Sequence, residues 1–230
     1  MWQDFYDSFV LNFIKDDRWK YLTNGLTVTL KLTFFAVLLG LVIGFFIAMV
    51  RSTYENTGKL KILNAICGLY LTVIRGTPVV VQLLIIYFVI FGSVRIDKSL
   101  VAIMAFGINS GAYVAEIFRS GIMAIDNGQF EAGRAMGFNY FQTMRYIILP
   151  QMIKVVLPTV LNEFISLLKE TSIVGYVGIM DLTKAGDNIR GRTLSAFMPL
   201  IAVALIYLCL VIVLTQVMKA LERRMRKNER

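Results

Sequence analysis

Residues 127–150 read NGQFEAGRAMGFNYFQTMRYIILP, the longest polar, helix-compatible interval between strongly apolar segments of the chain. Phe130 to Met136 fits about two helical turns, Gly137 breaks them, and Phe138 to Leu149 fits a second helix that Pro150 stops. The second helix spaces Phe138, Phe141, Arg145 and Ile148 along one face. A short helix with exposed aromatics suits a groove on a soluble partner, and the same residues suit a helix resting on a membrane surface. Everything on either side of the interval reads as membrane.

Composition sets that class. Of 230 residues, 57% are hydrophobic and 17% charged, more apolar matter than a soluble core requires. Runs from Leu32 to Val50, Gly76 to Val94, Ser99 to Ala115 and Thr193 to Met218 approach the roughly 20 residues that span hydrocarbon. The net charge of +9 comes from basic residues that flank apolar runs without interleaved aromatics, which matches membrane lipid headgroups and not nucleic acid. Cys67 and Cys209 lie far apart in apolar surroundings, so neither a disulfide nor a metal pair is expected. With no histidine, the common metal and triad chemistries lose their usual ligand or base. The N-terminal stretch is acidic and aromatic, without the basic start and cleavage site of a signal peptide. Trp2, Phe5, Tyr6, Phe9 and Phe13 fall on one helical face, predicting an interfacial helix over residues 1–24.

These segments predict an all-α integral membrane domain over residues 1–230 with five transmembrane helices, at 25–50, 62–92, 99–124, 151–180 and 196–220. The first contains Gly40 and Gly44, a GxxxG pair that marks either a close helix contact or chance in a glycine-rich span. The loop with Arg51, Lys59 and Lys61 and the tail with Lys219, Arg223, Arg224, Arg226, Lys227 and Arg230 are both basic, hence cytoplasmic. An odd number of spans then puts the N-terminus outside and the C-terminus in the cytoplasm, with 127–150 on the cytoplasmic side. Ile62 to Phe91 would be roughly 45 Å long if wholly helical. A bend is therefore expected near Gly76-Thr77-Pro78, with the first part lying along the cytoplasmic interface. Arg75 serves there either as a snorkelling anchor or as a gate residue paired with a carboxylate. On the third span Asn109 and Ser110 fall near the midplane, and Glu116 falls near the inner edge at the depth of Arg75, which predicts an ion pair. The fourth span is the least regular, with Pro158, Asn162, Glu163 and Ser166; the polar stretch DLTKAGDNIRGR after it reads as an outside loop.

The inventory of an enzyme is missing. There is no GxxxxGK[ST] loop, HExxH, GxSxG or glycine fingerprint between strand and helix. A chain that moves a solute uphill must then borrow energy from an ion gradient or from a separate ATPase. No convincing internal repeat of the secondary-transporter kind is visible.

Glu131-Ala132-Gly133, then Gly137, then Ile147 and Leu149-Pro150, resembles the EAA loop of ABC importer permeases, with Gly133 in place of the usual second alanine. Arg75-Gly76-Thr77-Pro78 with Gln82 and Tyr87-Phe88 is similar to the polar amino-acid uptake subfamily, the histidine, arginine and glutamine type. So are Gly111-Ala112-Tyr113 with Glu116, Arg119-Ser120-Gly121, Gly128-Gln129, Asn162-Glu163 and Lys169-Glu170-Thr171-Ser172. The resemblance covers nearly the whole chain. It implies a permease subunit of the bacterial inner membrane that works by alternating access with a second permease subunit, either the same chain or a close homologue. Two cytoplasmic ATP-binding subunits and an extracytoplasmic amino-acid-binding protein complete the set. ATP and magnesium belong to the ATPase; this chain carries no cofactor, metal or catalytic residue. Coupling helices that contact the ATPase would use Gln129, Glu131, Ala132, Gly133, Gly137, Phe138, Phe141, Leu149 and Pro150.

By depth, the substrate-binding candidates are Gln82, Asn109, Ser110, Asn162, Glu163 and Ser166, because a midplane cavity needs polar groups on several helices. For Asn109, Ser110 and Ser166 interhelical hydrogen bonding is the competing role. Glu163 fits the guanidinium or ammonium of a basic amino acid (arginine, lysine or histidine), or else a structural ion pair with Lys31 or Lys169. The expectation is ATP-driven import of amino acids, basic ones first; the alternatives are a gradient-driven transporter and an importer of a neutral or acidic amino acid such as glutamine.

Overall fold

A computed structural model describes residues 2–227; Met1 and residues 228–230, including Arg230 of the basic tail, lie outside the described residues. Every regular element among the described residues is helical.

The interfacial helix expected over residues 1–24 is shorter than its aromatic spacing implied. Helix α1 (Trp2–Phe9) gives way to a π turn over Val10–Ile14 and a 3-10 turn over Lys15–Asp17. Asp16 and Asp17 there adopt positive φ, 56° and 53°, which aspartate tolerates better than most residues. Helix α2 (Trp19–Thr57) follows, 39 residues long. At roughly 58 Å it overshoots a hydrocarbon layer of about 30 Å, so it begins before and ends after the segment 25–50.

Helices α3 (Lys61–Gly76) and α4 (Val79–Leu84), the latter extended by a π turn over Ile85–Ile90, meet at 109°. The break falls at Thr77-Pro78, where proline disfavours a helical predecessor and removes a donor. Helix α5 (Lys98–Met123) starts on Asp97, whose carboxylate accepts from the Ser99 and Leu100 N–H groups. Then come α6 (Asn127–Ala135), α7 (Tyr140–Thr143), a π turn over Met144–Ile148, α8 (Leu149–Glu170), a 3-10 turn over Thr171–Val177, α9 (Leu182–Thr193) and α10 (Phe197–Lys227). Four helical courses, Trp19–Thr57, Lys98–Met123, Tyr140–Val177 and Phe197–Arg224, are long and apolar enough to cross a membrane. The bent pair makes five if it counts as one span.

Two expectations are corrected. Pro150 does not stop a helix. It lies inside a helical course that runs unbroken from Tyr140 to Val177, just after a π turn that passes the Leu149 N–H back to the Met144 carbonyl, the kind of wider turn that accommodates a residue without an N–H. The stretch DLTKAGDNIRGR is not a loop: Asp181 caps α9 by accepting from the Thr183 and Lys184 N–H groups.

Helices α2 and α5 form the spine, and glycines let them close. A Cβ on Gly40 would lie 2.9 Å from both Cβ and Oγ of Ser110, and one on Gly44 would lie 2.6 Å from Val114. In return, Gly107 and Gly111 of α5 receive Leu39 and Ile43 of α2. The GxxxG pair is therefore a contact, matched by a second pair with the same spacing on the opposing helix. One core cluster joins Leu32, Ala36, Leu83, Phe106, Leu167 and Val174; another joins Ile122, Met144, Ile148, Met152 and Val156 beneath it. Large apolar side chains left exposed, such as Phe34, Phe46, Leu205 and Leu208, suit a lipid surround.

Candidate functional site

Glu163 stands in the middle of α8, and Ser110 of α5 donates its hydroxyl to Glu163 Oε1 at 2.9 Å. Because Gly40 presses on Ser110, the α2–α5 seam fixes the donor that holds the carboxylate. The partner is thus Ser110 and not Lys31 or Lys169. Glu163, Thr159, Tyr113, Glu116 and Ser120 line one cleft of about 350 Å³ between α5 and α8. Tyr113, Glu116 and Ser120 share a face of α5 by their spacings of three and four, and Thr159 precedes Glu163 by one turn of α8. That periodicity was present in the sequence and would have added Tyr113, Ser120 and Thr159 to the candidates.

Gln82 and Asn109 are brought together, though as each other's partners. Gln82 Nε2 donates to the carbonyls of Ile74 (2.7 Å) and Thr77 (3.0 Å) and lies 2.8 Å from Thr77 Oγ1, while its Oε1 accepts from Asn109 Nδ2 at 2.9 Å. Gln82 therefore satisfies carbonyls freed where α3 ends at the bend, and it ties that bend to α5. Both side chains are buried, and neither lines the cleft. Asn162 is exposed and Ser166 partly buried, and they stay outside the cleft lining as well.

At the other end of the cleft, Glu116 lies between two guanidinium groups: Arg75 Nη1 is 3.5 Å from Oε1 and Arg119 Nε is 3.1 Å from Oε2. Arg75 also rests over the Tyr113 ring, 5.8 Å from its centre, and Arg119 reaches Glu55 at 3.7 Å. Glu116 lines both this cleft and a second cavity of about 560 Å³ shared with Arg51, Thr72 and Arg75.

The interval 127–150 packs under α5 and α8. Gly133 is buried against Thr143, whose Oγ1 would lie 2.6 Å from a Cβ at that position, so the smaller residue here is matched by its neighbour. Gly137 takes φ +83°, a conformation that glycine adopts freely, and the Phe138 N–H returns to the Gly133 carbonyl to close α6. Asn139 and Gln142 form a reciprocal capping box for α7. Tyr140 OH meets Ser52 Oγ at 3.0 Å, tying the interval to the end of α2. Gln129, Glu131 and Ala132 are exposed on α6, and Phe141 is 66% exposed. The aromatic face expected along Phe138, Phe141, Arg145 and Ile148 is split, because Ile148 is fully buried and Phe138 precedes α7. Leu149 is partly buried and Pro150 exposed.

On the opposite side of the molecule, a cleft of about 440 Å³ is lined by Tyr176, Thr183, Lys184, Asp187 and Arg190. Hydrogen bonds from Lys184 and Arg190 hold the Asp187 carboxyl below the usual aspartate range, whereas burial pushes Asp181 above it. No group of three or more His, Cys, Asp or Glu residues could hold a metal ion among the described residues.

The sequence and fold have relatives. The family model for a binding-protein-dependent transport system inner membrane component matches residues 40–227. The arginine transport system permease protein ArtQ of Bacillus subtilis is 37% identical over 212 residues, covering 91% of this chain and 94% of that protein. The glutamine transport system permease protein GlnP of Escherichia coli K12 is 38% identical over 199 residues, covering 85% and 90%. A crystal structure described as an amino acid ABC transporter with histidines superposes with a TM-score of 0.81 at 42% identity, over 89% of this chain and 94% of that one. The inward-facing MetNI methionine ABC transporter shares the fold, with a TM-score of 0.77 at 21% identity, over 91% and 98%.

Proposed function

The chain belongs to the family of binding-protein-dependent transport system inner membrane components, a permease and not itself an enzyme, and from that premise we propose that it imports basic amino acids. That an amino acid is the cargo follows from relatives named for arginine and glutamine transport and from the transporter with histidines. The observation that carries the basic preference is Glu163. Its one hydrogen-bond partner among the described residues is a neutral serine, so a carboxyl group lines the cleft without a cation of its own. A guanidinium or ammonium supplies that cation through a charge-assisted contact.

In this reading five spans cross the inner membrane, with the N-terminus outside and the C-terminus in the cytoplasm. The exposed Glu131 and Ala132 of α6 and Phe141 of α7 meet a groove on each ATP-binding subunit. Nucleotide and magnesium sit on those subunits. A second permease subunit completes the pathway, and the amino-acid-binding protein approaches from the side of α9. Each ligand shifts the equilibrium toward the state that it contacts best.

The test is uptake of labelled arginine, lysine, histidine and glutamine by the assembled transporter in vesicles, with and without Glu163→Gln. Replacing a charge-assisted contact by a neutral one removes about 1–2 kcal/mol, hence roughly 5–30-fold of basic amino-acid uptake, with glutamine uptake little changed. Unchanged arginine uptake in the variant, or a wild type that carries only glutamine, refutes the basic preference. Uptake driven by an ion gradient without hydrolysable ATP refutes the coupling.

A further inference from the structure

Arg51 lies near the end of α2, partly buried, and the charges around it do not balance. Its Nε is sealed from solvent and has no hydrogen-bond partner, and no carboxylate stands within ion-pair distance of its guanidinium among the described residues. The neighbouring arginines are satisfied: Arg75 and Arg119 share Glu116, and Arg119 also reaches Glu55. Three guanidinium groups thus face two carboxylates, and the unmatched charge is the one on Arg51. A buried N–H donor left without an acceptor is destabilising, so removing it should cost the protein no stability unless something fills the gap.

The place to fill it exists. Arg51 and Arg75 line the cavity of about 560 Å³ between α2, α3 and α5. We propose that Arg51, assisted by Arg75, is an oxyanion site that takes one carboxylate or phosphate group. The guanidinium fork matches the paired oxygens of either group, and the single surplus charge asks for a single negative one. Two sources offer that chemistry. Ile66, Leu69 and Val73 of α3 are exposed beside the cavity and suit acyl chains, so the phosphate of an anionic lipid can enter from the side. Glu116 joins this cavity to the Glu163 cleft, so the α-carboxylate of an amino acid can also reach it from within. The site rests on the geometry at Arg51 and holds whichever amino acid Glu163 prefers.

The experiment uses the assembled transporter with its partner subunits, as wild type, Arg51→Gln and Arg51→Lys. Uptake of labelled arginine and glutamine is measured in vesicles of phosphatidylcholine alone and of phosphatidylcholine mixed with phosphatidylglycerol. The melting temperature in detergent is followed against inorganic phosphate and against short-chain phosphatidylglycerol. The expected result is that an oxyanion stabilises the wild type, that Arg51→Gln weakens this response about tenfold, and that Arg51→Lys keeps part of it. Wild-type uptake that rises with phosphatidylglycerol and loses that rise in Arg51→Gln assigns the site to a lipid phosphate. Uptake indifferent to the lipid, with kcat lowered in Arg51→Gln for both amino acids, assigns it to the cargo carboxylate. An Arg51→Gln complex that transports like the wild type in both vesicles, and melts at the same or a higher temperature with no loss of response to phosphate or lipid, overturns the proposal. Failure of the Glu163 reading leaves these outcomes untouched, because both cargoes are assayed.

Discussion

The contact between Gly40 and Ser110 turns a packing feature into a prediction about transport. Replacing Gly40 by alanine puts a methyl group 2.9 Å from Ser110 Cβ and Oγ, where ordinary contact begins near 3.4 Å. Either α5 withdraws from α2 or the Ser110 hydroxyl leaves its rotamer, and both movements displace the donor by at least about 0.5 Å. The Ser110–Glu163 hydrogen bond starts at 2.9 Å, so such a shift carries it past the useful range. Overpacking costs about 1–3 kcal/mol, and losing a hydrogen bond to an ionised carboxylate costs about 1.5–3 kcal/mol more of the positioning of Glu163. Gly40→Ala should therefore lower the melting temperature of the purified transporter by several degrees and raise the KM for its cargo about tenfold.

Gly44→Ala provides the control. Its Cβ meets Val114 and the Ala115 backbone at 2.6 to 2.8 Å, an approach at least as tight on the same seam, yet neither residue lines the Glu163 cleft. It should destabilise as much as Gly40→Ala and leave KM nearly unchanged. Uptake kinetics in vesicles and melting curves on the same preparations check both statements. If the two variants raise KM equally, helix separation alone is responsible, and the claim that Gly40 acts through Ser110 fails.

Gln82→Leu should destabilise the transporter by about 2–4 kcal/mol, because two carbonyls at the bend and the buried Asn109 amide lose a partner together. Melting curves read this directly; a raised KM at unchanged stability would instead return Gln82 to the cargo site. For Asp181 the sign follows from burial, which raises its folded carboxyl above the unfolded value. Its contribution to stability is fully present below the ordinary aspartate range near 3.8 and is lost as the pH rises through the raised value. Asp181→Asn keeps one of the two capping acceptors and should flatten that part of the stability profile, Asp181→Ala should cost about 1–2 kcal/mol, and an unchanged slope in Asp181→Asn refutes the assignment.

The apolar runs, the break at Thr77-Pro78 and the common depth of Arg75 and Glu116 were legible because each depends on spacing along one helix. What was hidden depends on two. Gly40 and Gly44 look like chance until Gly107 and Gly111 are set opposite them. Gln82 and Asn109 have the polarity of a binding site, but Gln82 spends its amide on the carbonyls at the bend and its oxygen on Asn109. Arg51 reads as one more basic flank, and its missing partner is visible only once Arg75 and Arg119 have taken the carboxylates. Asp181 could have been read: an aspartate two residues before a threonine, ahead of a helix-compatible stretch, is a cap signal that the polarity of DLTKAGDNIRGR obscured.

Pro150 matters most for how the parts act together. Had it stopped a helix, a flexible joint would separate the interval 127–150 from the membrane. Instead the helical course runs from Tyr140 to Val177, and Glu163 lies fourteen residues beyond Leu149, roughly 21 Å along α8. On the proposed reading, a push delivered to the exposed Phe141 therefore moves α8 nearly as a body. Ser110 belongs to α5 and Glu163 to α8, so the hydrogen bond between them crosses the interface that any sliding of α8 past α5 would shear. A slip of about 1 Å is enough to break it. If Glu163 holds the cargo and the ATPase pushes on Phe141, as proposed, the carboxylate is tied to that same displacement, and binding and coupling meet in one bond.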